Sequence, residues 1–341
     1  MEKPAICGGE PVRSTKIFYG HQFIDEDDIQ AVVDVLKSDY LTCGPKIGEL
    51  EEKLCEVTGA KYAVVCSNGT AALHIACLAA GVMPGDEVIT TPITFAASAN
   101  CALYCGAKPV FADINENTYN IDPAHVEKLT TERTKAVVAV DFTGQSVELD
   151  RLLTHCREHN LVLIEDGAHV IGTSYKGRMN GSIADMTTMS FHPVKTVTGG
   201  EGGAVLTNSK EYYEKLLLYR AHGITRDPKL MEHEPDGPWY YEQIALGMNY
   251  RMDTVNSFCG NIDSTLEAKG HICSPKVIVD RLRKCDHIES LFPKKVCCLM
   301  GAVSSKDNQT VKTQLIVILL HGFYLVDAVL IRLPDGLERN S

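Results

Sequence analysis

Between residues 62 and 221 the chain alternates short apolar runs with helical segments, and this pattern limits the fold more than any other feature. The apolar runs read as strands at Tyr62–Cys66, Glu87–Thr91, Pro109–Asp113, Ala136–Phe142, Val162–Glu165, Thr187–Phe191 and Ala204–Thr207. Helical patterns fall between or beside them at Thr70–Ala80, Thr94–Tyr104, Ala124–Leu129, Leu149–His159 and Glu211–Ala221. A further helix is expected over 26–38, where Ile29, Val32, Val33 and Leu36 share one face. Strand and helix in alternation build βαβ units, so the expected fold is α/β, a mainly parallel sheet with helices on both faces.

A net charge of -11 argues against a nucleic-acid surface, which needs a basic stripe. The 13 cysteines show no zinc-ligand spacing; Cys101 and Cys105, or Cys297 and Cys298, have no matching second pair. No metal is therefore expected. Residues Met1–Gly9 do not read as a signal peptide, so a cytoplasmic location is expected. The apolar run Gln314–Leu333 is broken by His321, Gly322, Asp327 and Arg332, and no membrane span is expected there.

Three local motifs carry chemistry. In Cys66-Ser67-Asn68-Gly69-Thr70-Ala71-Ala72-Leu73 a strand runs through a small-residue turn into an Ala-rich helix. Free N–H groups at such a helix start can hold a phosphate, although an ordinary strand–helix turn looks the same. In Leu163-Ile164-Glu165-Asp166-Gly167-Ala168-His169 an apolar strand ends in carboxylates, where an open α/β sheet binds ligands. A carboxylate there could keep a pyridinium nitrogen protonated, or could cap a helix; His169 could equally be structural. In Ser190-Phe191-His192-Pro193-Val194-Lys195, followed by Gly199-Gly200-Glu201-Gly202-Gly203, a lysine follows an apolar strand beside a glycine cluster. Partial desolvation there would make its amine nucleophilic, while a loop lysine in solvent is the plain alternative.

In this order the three motifs resemble the DegT/DnrJ/EryC1/StrS family of sugar aminotransferases, which have the pyridoxal 5'-phosphate (PLP) fold type I. The resemblance runs from about Ile17 to Met252. It implies PLP as cofactor, with Lys195 as the Schiff-base lysine, Asp166 at the pyridine nitrogen and His169 near the ring oxygen. It implies a phosphate cup of Gly69, Thr70, Ala71 and Ser190, and Phe95 stacked on the ring. Asn249 would reach the phosphate of the neighbouring subunit, which implies a homodimer with shared active sites.

Further runs narrow the resemblance to a branch acting on UDP-sugars. They are Tyr19-Gly20-His21-Gln22, His222-Gly223-Ile224-Thr225-Arg226-Asp227 and Asp236-Gly237-Pro238-Trp239-Tyr240-Tyr241. That branch moves an amino group from L-glutamate to C4 of a UDP-linked 4-keto-6-deoxy amino sugar, on the route to pseudaminic acid. Two other readings are a PLP sugar dehydratase or lyase on the same fold, and a PLP-binding paralogue without turnover. Dehydrating relatives lack the cofactor lysine, whereas Lys195 is present.

The expected organisation is a large PLP-binding domain over 1–252, with an N-terminal arm over 1–24, and an atypical small C-terminal domain over 253–341. After Met252 the expected apolar spacing is missing. Partial resemblance returns at Ile278–Lys284 and Leu291–Lys295. The late cysteines and abrupt change suggest a shifted reading frame or a decayed gene end.

Overall fold

The computed structural model describes residues 3, 5–11, 13–15, 22 and 24–258. The expected small domain beyond residue 258, the frame shift and the Gln314–Leu333 run fall outside the described residues. No helix among the described residues is long and apolar enough to cross a membrane.

Seven strands form one sheet: β1 (Tyr62–Cys66), β2 (Glu87–Thr90), β3 (Lys108–Phe111), β4 (Thr134–Val140), β5 (Val162–Asp166), β6 (Met186–Ser190) and β7 (Gly203–Thr207). Their order is β1-β7-β6-β5-β4-β2-β3. Only β7 runs antiparallel to its neighbours. The other six strands therefore end along one edge, and β7 begins there.

Alternation along β4 shows why helices cover both faces. Ala136 and Val138 enter a core with helices α3 (Gly69–Ala79), α4 (Ala97–Tyr104) and α7 (Lys210–Arg220). Val137 and Ala139 enter the opposite core with α5 (Pro123–Leu129) and α6 (Leu149–Glu158). A smaller core lies against α2 (Pro45–Thr58). Helix α3 is apolar nearly all round and buried accordingly, from Ala71 to Ala79.

Helix α1 (Glu26–Lys37) starts at a capping box in which Asp25 accepts from Asp27 and Asp28 while Asp28 accepts from Asp25. Helix α2 is absent from the expectations above, although Ile47, Leu50, Leu54 and Val57 have helical spacing. Two of the shifted boundaries bear on the site. The strand expected to reach Phe142 stops at Val140, and Phe142–Gly144 forms a tight turn with Thr143 at φ 56°. The helix expected from Thr94 begins at Ala97, which frees Thr94 and Phe95 to line a cavity. Beyond Met252, Thr254 Oγ1 accepts from the Gly44 N–H at 3.1 Å, so residues 253–258 dock on the start of α2.

Candidate active site

A cavity opens at the carboxyl edge of the sheet, beside the ends of β4 and β5. Four of the sequence candidates meet in it: Phe95, Asp166, His169 and Lys195.

Asp166 ends β5, so its side chain takes the same face as Ile164, toward α4. Ser98 of α4 donates to Asp166 Oδ2 at 2.6 Å, and Thr94 shares a 2.7 Å hydrogen bond with Ser98. The Ala168 N–H donates to the other oxygen at 3.4 Å. Burial pushes the Asp166 carboxyl above its ordinary range, against the Ser98 hydrogen bond and the Lys195 charge. A buried carboxylate of this kind is short of a cation.

Lys195 Nζ lies 2.7 Å from His169 Nε2. Burial holds the Lys195 ammonium below the usual lysine range, opposed by Asp166. Burial, helped by Lys195, drops His169 to about 4. His169 is therefore neutral near pH 7, and its Nε2 lone pair can accept from Lys195. That fixes the ring proton on Nδ1.

The expected phosphate cup is present in part. Gly69 and Thr70 open α3, where first-turn N–H groups have no intrahelical acceptor. The Ala71 N–H is already taken: the Asn68 side chain caps it at 2.8 Å. A Cβ on Gly69 would stand 2.9 Å from Ser190 Cβ, so only glycine lets Ser190 come this near. Gly203 matters as much. A Cβ there would lie 2.5 Å from the Asn68 carbonyl carbon, so its absence lets α3 begin flush against β7. Cup and carboxylate occupy adjacent strand ends, because Ser190 closes β6 and Asp166 pairs with Thr188 of the same strand.

Asn249 does not line this cavity. It is exposed and bridges Ala221, while the next residue, Tyr250, accepts from the Ser67 N–H at 2.8 Å. Sequence reasoning missed Ser98, which reaches the site through Asp166, and Thr94 and the Val140–Thr143 wall, which line the cavity; only the fold brings them there.

The donor set fits PLP: a lysine with a lowered amine, a buried carboxylate short of a cation, and a side-chain-free cradle at a helix start. Fold and site together define the class of type I PLP-dependent transferases. The chain belongs to the DegT/DnrJ/EryC1/StrS aminotransferase family, which matches residues 22–266 and so continues past Met252. It is 42% identical to the spore coat polysaccharide biosynthesis protein SpsC of Bacillus subtilis, over 71% of this chain and 62% of that protein. It is 43% identical to a UDP-4-amino-4,6-dideoxy-N-acetyl-beta-L-altrosamine transaminase of Campylobacter jejuni, over 76% of this chain and 68% of that one. Among solved structures it is similar to Helicobacter pylori PseC, an aminotransferase involved in pseudaminic acid biosynthesis. The TM-score is 0.67 at 37% identity, covering 74% of this chain and 66% of that one. A candidate sugar aminotransferase of Streptococcus pneumoniae in its PLP form gives a TM-score of 0.66 at 31% identity, covering 74% and 67%. The chain thus spans about three fifths to two thirds of the length of these relatives.

Proposed function

We propose that this chain binds PLP through Lys195 and transfers an amino group from L-glutamate to C4 of a UDP-linked 4-keto-6-deoxy amino sugar. The observation that carries the reading is the meeting of Lys195, His169 and Asp166 in one cavity, with Asp166 buried and Lys195 held partly desolvated. PLP supplies an electron sink when bound. Asp166 would hold a positive charge at the pyridine nitrogen, since burial leaves its carboxylate in need of a cation. His169, neutral and accepting, orients the Lys195 amine. The same amine would serve as base and acid, moving the proton of the amino donor, because its lowered basicity suits proton transfer near neutral pH. Gly69, Thr70 and Ser190 would hold the phosphate, and Phe95 would cover the ring.

The sugar assignment is supported by the Campylobacter and Helicobacter relatives. A homodimer with composite sites is supported by the large apolar side chains of Phe95, Trp239 and Leu246, all exposed in the single chain, and by Asn249, exposed and outside the lining of its own cavity. A cytoplasmic location accords with nucleotide-sugar substrates.

The test is the first half-reaction. Purified protein mixed with PLP and then L-glutamate should lose the near-visible cofactor band and release 2-oxoglutarate. Borohydride should fix PLP on wild type but not on Lys195→Ala. A covalent adduct at wild-type yield in Lys195→Ala would assign the cofactor to another residue.

A further inference from the structure

The face of β5 opposite Asp166 carries Glu165, completely buried, and next to it lies Asp141, 2% exposed, just beyond the end of β4. Two carboxyls buried side by side are not both ionised without a cation between them. The hydrogen bonds say which of them lacks a donor. Asn180 Nδ2 donates to Glu165 Oε1 at 2.6 Å, and Thr187 Oγ1 donates to Glu165 Oε2 at 2.6 Å. Asp141 Oδ1 accepts from the Val147 N–H at 2.7 Å. Asp141 Oδ2 has only a stretched 3.5 Å contact from the same Asn180 nitrogen. The Asn180 amide cannot turn to change this, because Ser146 Oγ donates to its oxygen at 2.8 Å. Oδ2 therefore lacks a good donor, and the Glu165 carboxyl is the acidic side chain beside Asp141 that could accept a proton from it.

We propose that Asp141 carries the single proton of an Asp141–Glu165 pair, and that this pair, with Asn180, positions the Phe142–Thr143 wall of the cavity. Burial and the adjacent Glu165 charge agree, pushing the Asp141 carboxyl well above the ordinary range. The titratable groups acting on it are Glu165 and Asp166, both acidic.

The wall needs such an anchor. Thr143 sits at φ 56°, a conformation costly for a threonine and kept only where the surroundings impose it. Asn120 supplies a second clamp, accepting from the Phe142 N–H at 2.9 Å and donating to the Gln145 and Ser146 carbonyls. Gly144 passes against the His169 carbonyl. A displaced Asp141 would thus disturb both Phe142 and the backbone under His169. Asp141 acts here as a positioning residue. The second half of the proposal rests on the reading of this cavity as the PLP site; the first half does not.

The experiment compares Asp141→Asn with Asp141→Ala. Asparagine keeps the acceptor for Val147 and places an N–H donor toward Glu165. Urea unfolding of the PLP-free protein across pH 6–8 reads the proton directly. An acid that keeps its proton in the fold takes one up on folding, so wild-type stability falls as pH rises, by up to tenfold in the folding constant per pH unit, until that proton is lost. Asp141→Asn should lose that one-proton slope and gain stability relative to wild type as pH rises. An infrared band of a protonated carboxyl, present in wild type and lost in Asp141→Asn, gives the same answer if Asp141→Ala does not fold. An unchanged slope and an unchanged band overturn the shared proton. PLP titration then reads positioning: Asp141→Ala should bind at least about tenfold more weakly than Asp141→Asn. Equal weakening in both, or none in Asp141→Ala, overturns the positioning role while leaving the glutamate half-reaction of wild type to stand or fall by itself.

Discussion

Replacing Ser98 by alanine removes one oxygen and leaves nearly everything else in place. Ser98 is fully buried, and its hydroxyl donates to Asp166 Oδ2 at 2.6 Å. The other Asp166 oxygen has only the 3.4 Å contact from Ala168. The loss therefore falls on a buried carboxylate with little other support. A hydrogen bond to a charged group contributes about 1.5–3 kcal/mol, and each 1.4 kcal/mol is about tenfold in an equilibrium constant. If Asp166 must be ionised to hold a positive pyridine nitrogen, Ser98→Ala should weaken PLP binding by about 10- to 150-fold. Removing the hydroxyl also pushes the Asp166 carboxyl further up, so the deficit should shrink as pH rises. Absorbance titration with PLP at pH 7 and pH 9, with circular dichroism to verify the fold, measures both. Affinity within about twofold of wild type at both pH values would refute the assignment of Asp166 to the cofactor's charge, because no intact network would replace that bond.

Three other outcomes follow from the geometry. His169 drops from 6.5 to about 4, so protonating it in the fold is costly; its contribution is complete above pH 6.5 and is lost as pH falls toward 4. That lowering corresponds to roughly 3 kcal/mol once His169 is fully titrated, so His169→Gln should lose stability less steeply with acid than wild type in urea at pH 7 and pH 4.5. In Gly203→Ala the new Cβ would meet the Asn68 carbonyl at 2.5–2.6 Å, so a loss of about 1–3 kcal/mol of stability and a weaker hold on PLP phosphate are expected, read by thermal melting and by phosphate-versus-pyridoxal competition. If Asn249 serves the neighbouring subunit, mixing Lys195→Ala with Asn249→Ala chains under subunit exchange should give more activity than both parents combined, with sizing chromatography run first to show a dimer; no gain despite proven exchange would remove the composite site.

Short apolar runs alternating with helical patterns are local, and they are enough to indicate the seven strands of the main sheet, most helices and the sheet's mainly parallel character. The order of a small-residue turn, an acidic strand end and a lysine before glycines was also legible, because each motif lies within a few adjacent residues. Lys195, Asp166 and His169 lie in those motifs, the family resemblance adds Phe95, and the four are found together in one cavity. Even one local feature was missed: Asn68 occupies the Ala71 N–H, a capping bond that spans three residues. What the sequence could not decide is which residues meet across the fold. Ser98 and Asp166 are 68 positions apart, Gly203 and Asn68 touch only because β7 lies beside β1, and Asp141 faces Glu165 only because β4 pairs with β5. Spacing along the chain carries no signal for such meetings. Strand order, register and helix packing bring these groups together, and burial then shifts the titration of the acids among them.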